Sequence, residues 1–293
     1  MLIAMIILSV VLMFVLPVVI TVILTGRYHA TWRTIGVGIL AYLVPQVVMT
    51  FILGGLQSLT QDQLSSVIAG LPLSTILLYA LVLVACILTV IAVWIGFRYL
   101  KEEADSWIGA LALGAGVGGA QFLFIGIKQI FDYYPYVGAA LFGVQSLGLS
   151  SSDATSLSNS MSLFLSTPWY YPLSAILALL TYMAVYLAMS IVVWQGLKKQ
   201  KWTWLWLVGG MVWLIVVQSL DSVLTAAFPS SYWPEMFLFV ALLISLEFLY
   251  WYKVNVLDKL TLEESTPEIS SSMDTETVEP AYKPKSRKAK KNK

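Results

Sequence analysis

Long apolar blocks separated by short polar turns fill the first 252 residues of the chain. Each block is long enough to cross the ~30 Å hydrocarbon core of a bilayer as a helix. Seven spans are predicted, at about Leu2–Leu24, Ile35–Leu53, Ser74–Phe97, Ile108–Ile130, Leu173–Gly196, Trp204–Ala227 and Pro234–Trp251. The first begins at residue 2 with no basic n-region and no small-residue cleavage site before a polar mature chain. It therefore reads as a retained helix and not as a removed signal peptide. The expected fold is all-α: a polytopic membrane protein of about seven transmembrane helices.

The turns between spans alternate in charge. Arg27 and Arg33 follow span one, Arg98 and Lys101 follow span three, and Lys198, Lys199 and Lys201 follow span five. Nine more basic residues lie from Lys253 onward. The intervening loops, Gly54–Leu73, Phe131–Pro172 and Phe228–Trp233, contain no lysine or arginine, and only Lys128 falls near that side. Basic residues favour the cytoplasmic face, so the N-terminus is expected outside and the C-terminus in the cytoplasm.

The fourth span, with the turn before it, stands apart. The stretch from Val93 to Ile127 carries Gly109, Gly114, Gly116, Gly118, Gly119 and Gly126. Each glycine costs a soluble helix roughly 1 kcal/mol relative to alanine. In a membrane, small residues four apart instead let two backbones approach closely, and Ala110, Gly114 and Gly118 form such a row. Gln121 lies one turn beyond Gly118, so a polar side chain is expected beside the tightest packing surface.

The loop Phe131–Pro172 has an aromatic entry (Phe131, Tyr133, Tyr134, Tyr136), a Ser/Thr-rich middle and an aromatic exit (Trp169, Tyr170, Tyr171). The aromatics fit headgroup-level anchors. The middle reads as a short helix packed on the surface, with a lid as the alternative. Trp202, Trp204 and Trp206 read as an aromatic belt. The organisation expected is a seven-helix domain over residues 1–254 and a disordered cytoplasmic tail over residues 255–293. Residues Glu263 to Glu279 of that tail are acidic and Ser/Thr-rich, and Lys283 to Lys293 is a basic block. The tail has too little apolar surface to offset its ordering entropy. Its cations could hold it to anionic lipid, or fold back on the acidic block.

Composition narrows the chemistry. Apolar residues make up 59% and charged residues 11% of the chain, against about 25% charge in a soluble domain. The net charge of +1 says nothing about partners, because the charges are segregated along the chain. One cysteine, Cys86, excludes an intrachain disulfide and a cysteine-clustered metal site. The single histidine, His29, lies in a basic turn. Ionisable and amide groups inside the spans are few: Asp221 with Gln218, Gln121 and Lys128, Gln46 beside Pro45, and Gln195 and Glu247 near span ends. Such groups mark either a site or interhelical glue. Asp221 and Lys128 sit toward the same ends of their spans, so an ion pair between them is expected. Glu247 is expected to snorkel toward Lys253. A candidate cleft is drawn from Arg98, Gly114, Gly118, Gln121, Gln218 and Asp221. The partners expected are the lipid bilayer and another membrane protein or transmembrane segment. No nucleic acid, cofactor or metal is expected.

Two stretches carry a resemblance. Residues 15–46, VLPVVITVILTGRYHATWRTIGVGILAYLVPQ, and the Val93–Ile127 stretch resemble the YhfC-like family of intramembrane peptidases, relatives of the CAAX-processing and PrsW-type enzymes. The resemblance implies a glutamate pair ahead of a Gly-x-Arg-Tyr helix end, then a glycine-rich helix of the form GxGHGGxE. It also implies a histidine in each of two later spans, the last close to an aspartate.

Gly96, Arg98 and Tyr99 match that pattern, as do Gly114, Gly116, Gly118, Gly119, Ser190 and Asp221. The glutamate pair falls on Trp94 and Ile95, the histidines on Val117, Tyr186 and Val217, and the last glutamate on Gln121. Amide hydrolysis needs water activated by a carboxylate base, a metal, or both. Valine supplies neither, and glutamine can position a water but cannot take its proton. The expectation is a degenerate member of the family in a bacterial cell membrane, acting by binding, scaffolding or regulation. The alternatives are a small-solute or proton-coupled transporter, less readily an active protease, and an assembly or immunity-type factor acting through the tail.

Overall fold

The computed structural model describes residues 1–63, 73–104, 106–148, 150–199, 203–227 and 232–257. The chain divides into Met1–Tyr250, which holds a helical bundle, and Trp251–Lys293. The described part of the second unit is the end of the last helix and a π-type turn, Lys253–Leu257. The readings of the tail beyond that turn, and of Trp202 and the Trp204 side chain, lie outside the described residues.

Eight helices follow in order: α1 (Leu2–Tyr28), α2 (Trp32–Gln63), α3 (Leu73–Leu100), α4 (Trp107–Phe142), α5 (Ser151–Ser166), α6 (Tyr171–Lys199), α7 (Thr203–Ala227) and α8 (Trp233–Tyr252). Short 3-10 turns at Lys101–Ala104 and Val144–Leu147 flank α4. Among the described residues there is no strand, and all helices but α5 are long and apolar enough to cross a membrane. The chain is a multi-pass helical membrane protein, as its apolar blocks require.

Local chemistry sets several helix ends. Ser106 starts α4 by accepting the Gly109 amide at 3.0 Å, satisfying one of the four N-terminal donors that a helix leaves open. His29 ends α1 in the left-handed conformation, with its own N–H returned to the Leu24 carbonyl. Gly143, at φ 85°, ends α4.

One boundary departs from the sequence reading. α4 runs past Ile130 and through Pro135 to Phe142, so the aromatic entry of the expected outer loop is helical. Proline removes one backbone bond, but tertiary contact compensates. Tyr136 stacks on Phe164 of α5 with ring centroids 4.7 Å apart, and Tyr133 meets the same ring at 6.2 Å. The Ser/Thr-rich middle does form a helix, and its aromatic residue packs on the end of α4.

α4 is the central helix, flanked by α1, α2 and α6. Its glycines explain how. A Cβ on Gly116 would run into the Ile35 carbonyl oxygen of α2, and one on Gly38 into the Leu113 carbonyl oxygen of α4. On the opposite side, a Cβ on Gly114 would lie 2.8 Å from the Tyr186 carbonyl oxygen, and one on Gly118 would lie 2.5 Å from Met183 Sδ. Backbones therefore touch on both faces of α4, the arrangement for which small-residue rows suit membrane helices.

At the end of the bundle where α1, α3 and α6 finish, four cations rest on aromatic rings. Arg33 lies over Tyr99, Arg98 over Trp94, Arg27 over Tyr28 and Lys198 over Trp194, at 5.0–5.9 Å from the centroids. Arg33 also pairs with Glu103 of the turn after α3, at 2.5 Å. The first two basic turns are thus neighbours in space.

Candidate functional site

Where α3, α6 and α7 meet, polar side chains cross-link the bundle interior. Tyr182 and Tyr186 are one turn apart on α6, and Gln218 and Asp221 are three residues apart on α7, so each pair shares a helix face. The two faces meet in two bonds. Tyr182 donates its hydroxyl to Asp221 Oδ2 at 2.5 Å, and Gln218 donates Nε2–H to the Tyr186 hydroxyl at 3.2 Å. Cys86 of α3 donates its thiol to Gln218 Oε1 at 3.1 Å. The result is a string of phenol, amide, thiol and carboxylate groups, nearly all satisfied by one another.

The residues singled out from the sequence distribute unevenly around this string. Tyr186, Gln218 and Asp221 belong to it. Val117 and Val217 are completely buried, and Gln121 is buried with its Oε1 atom lacking a hydrogen-bond partner. Gly114 abuts Ser190 and the backbone at Tyr186, and Gly118 abuts Met183. Trp94, Ile95 and Arg98 lie elsewhere. Ile95 points outward at 53% exposure, and Arg98 is exposed beside the Trp94 ring. Twelve residues separate Cys86 from Arg98, about 18 Å along α3. Arg98 is therefore removed from the candidate cleft, because its charge stays at the membrane boundary.

The expected ion pair is also replaced. Asp221 is held by Tyr182, whereas Lys128 is exposed on α4, so the acid takes a neutral partner inside the bundle. A cation with a long stem reaches solvent more cheaply than it enters an apolar interior. Glu247, likewise exposed, sits outside the string. Sequence reasoning did not single out Tyr182. The available signal was a second tyrosine one helical turn before Tyr186, opposite the Gln218/Asp221 face.

This donor set has limited chemistry. Zinc requires three or four nitrogen, sulfur or carboxylate ligands, and the string offers one thiol and one carboxylate, each already engaged. Among the described residues no three His, Cys, Asp or Glu side chains come together. Phenols and amides suit relay and binding of hydrogen-bonding groups more than hydrolysis. A cavity of about 870 Å³ lies apart from the string, between α6, α7 and α8.

No curated protein and no solved structure matches the chain. The model of the YhfC intramembrane metalloprotease family matches residues 12–228, a stretch that includes the later part of α1, the glycine-rich α4 and the whole hydrogen-bonded string, and the chain belongs to that family.

Proposed function

We propose that this chain is a family member without peptidase activity, working in the membrane as a binding, scaffold or regulatory protein for another membrane protein or transmembrane segment. The carrying observation is the interior itself. Val117 and Val217, where the family resemblance puts histidines, are sealed in apolar packing, and the nearby acid and thiol are tied to Tyr182 and Gln218. The family description implies a bound metal, and these residues do not fit one. Gln121 can hold a water or an amide but cannot accept a proton as a base. The alternating basic turns support a cytoplasmic C-terminus, and a bacterial cell membrane location rests on the family resemblance alone.

The test combines zinc analysis with a peptidase assay on the purified full-length protein. Substoichiometric zinc, no turnover and partners recovered in mild detergent are expected. Stoichiometric zinc, or a cleavage product that disappears in Asp221→Asn, overturns the reading.

A second reading is favoured by one observation, the half-buried carboxylate bonded to Tyr182 beside the Tyr186–Gln218–Cys86 bonds. Ionisable groups at membrane depth commonly mark solute or proton paths. Reconstituted vesicles discriminate: a carrier using Asp221 loses flux in Asp221→Asn, and a scaffold does not.

A further inference from the structure

Helix α8 is attached unevenly. At its start, Tyr170 bonds to Tyr232 at 3.2 Å, and Thr181 Oγ1 donates to the Leu238 carbonyl at 3.0 Å. Pro234, Leu238, Ala241 and Ser245 form its buried stripe. Toward the other end, where α6 finishes in Lys198, α6, α7 and α8 enclose the 870 Å³ gap. Met189, Val192, Trp206, Trp213, Ile244 and Phe248 are among its walls. Its one hydroxyl, on Ser245, is already donated to the Ala241 carbonyl at 2.8 Å. Leu205 and Ile244 on its border are 44% and 51% exposed, so the gap meets the surrounding hydrocarbon.

Size and chemistry select the occupant. A stable internal water needs two to four polar partners, and these walls are mainly apolar, with polar atoms only on Ser245 and the Trp206 and Trp213 indoles among their side chains. A helix about 10 Å across spanning ~30 Å would fill roughly 2,400 Å³, far more than the gap holds. Narrow, flexible hydrocarbon chains fit both the volume and the lining. Charge bears on the headgroup, where Lys198 of α6 stands against one acidic side chain, the exposed Glu247 beside Phe248 on α8. Lys198 lies six residues beyond Val192, about 9 Å further along α6, at the end of the bundle that also carries Arg27, Arg33 and Arg98. A lipid with its chains in the gap would present its headgroup beside that cation.

We propose that the gap between α6, α7 and α8 is a binding site for an anionic phospholipid, with its acyl chains against the walls and its phosphate toward Lys198. Gly209 makes the site testable, because it lines the gap and a Cβ there would meet nothing within 4 Å. Gly209→Leu puts a side chain into the space with no clash at its Cβ. Ile244→Trp, on the exposed border, is a second way to fill it should the first fold poorly.

Full-length protein is incubated with equimolar phosphatidylglycerol and phosphatidylcholine of the same chain length, and retained lipids are counted by native mass spectrometry. The wild type is expected to retain phosphatidylglycerol at least fivefold over phosphatidylcholine, the scale of one basic residue near a lipid surface. Gly209→Leu or Ile244→Trp should lower that retention at least fivefold with an unchanged Tm. Lys198→Glu should remove the preference while lipid is still retained. Equal retention of the two lipids by the wild type, undiminished retention in both filled variants, or a protein segment crosslinked into the gap instead of lipid overturns the proposal.

Discussion

Gly116→Ala probes the α2–α4 contact most directly. The added methyl carbon would press on the Ile35 carbonyl oxygen and lie 2.9 Å from the Gly38 Cα. Ordinary contact begins at 3.4 Å, and backbone cannot turn aside as a flexible side chain can. The helices must part by roughly 0.5–1 Å, which forfeits about a quarter to a half of the dispersion attraction across the seam. Overpacking of this kind costs about 1–3 kcal/mol, against which alanine regains up to ~1 kcal/mol in helix propensity. A net loss of about 1–2 kcal/mol is expected. Gly38→Ala meets the same backbones from the other side, so the double variant should lose less than the sum of the singles, the first separation accommodating the second. Gly36→Ala, on the same helix with nothing within 4 Å of its Cβ, is the control and should be neutral or slightly stabilising. Unfolding free energies measured by steric trapping in bicelles would report all four. A Gly116→Ala protein as stable as wild type, or a Gly36→Ala protein equally weakened, would refute the backbone-contact argument.

The other expectations are more local. Tyr182→Phe strips the Asp221 carboxyl of its donor and should cost about 1–3 kcal/mol, whereas adding Asp221→Leu should recover much of that loss; the same bicelle unfolding measurement decides. Thr181→Val removes a bond to the Leu238 carbonyl and should cost about 0.6 kcal/mol, with faster hydrogen exchange in the first half of α8 but not in α4. Arg33→Gln breaks an exposed pair with Glu103 and should leave the unfolding midpoint nearly unchanged, with any difference abolished by salt. The Tyr170 hydroxyl is raised above the ordinary phenol range, first by its bond to Tyr232. An acid whose neutral form is favoured in the folded state contributes fully below its unfolded value of about 10 and loses that contribution as pH rises through the folded one. Tyr170→Phe should therefore flatten the alkaline limb of a Tm-against-pH curve.

The spans were legible because hydrocarbon imposes a simple demand: every crossing segment must be an apolar helix of sufficient length. Span four was legible as the packing centre for a similar reason, since glycines at that density make sense only where backbones meet. What escaped was decided by tertiary contact. Nothing local says that α4 survives Pro135; Phe164, far along the chain, supplies the ring on which Tyr136 stacks. Asp221 was placed with Lys128 because opposite charges attract, yet desolvation outweighs attraction when a neutral phenol one helix away will serve. Tyr182 went unnoticed because a lone tyrosine in an apolar run looks like packing until its partner face is known.

The glycine pattern of α4 is therefore weak evidence for retained chemistry. Gly114, Gly116 and Gly118 are required wherever Gly38, Tyr186 and Met183 press their backbones or side chains on α4, whatever stands at positions 117 and 121. A chain that abandoned hydrolysis would still lose stability on losing those glycines, but would lose nothing on replacing a costly buried histidine by Val117. Selection for folding alone can thus preserve the family's outline while its reactive groups change. Resemblance to a peptidase through this helix consequently speaks to architecture, and activity has to be argued from the acids and histidines themselves. In this interior Tyr182 and Gln218 are seen bonded across α6 and α7, to Asp221 and Tyr186, as polar fasteners between helices.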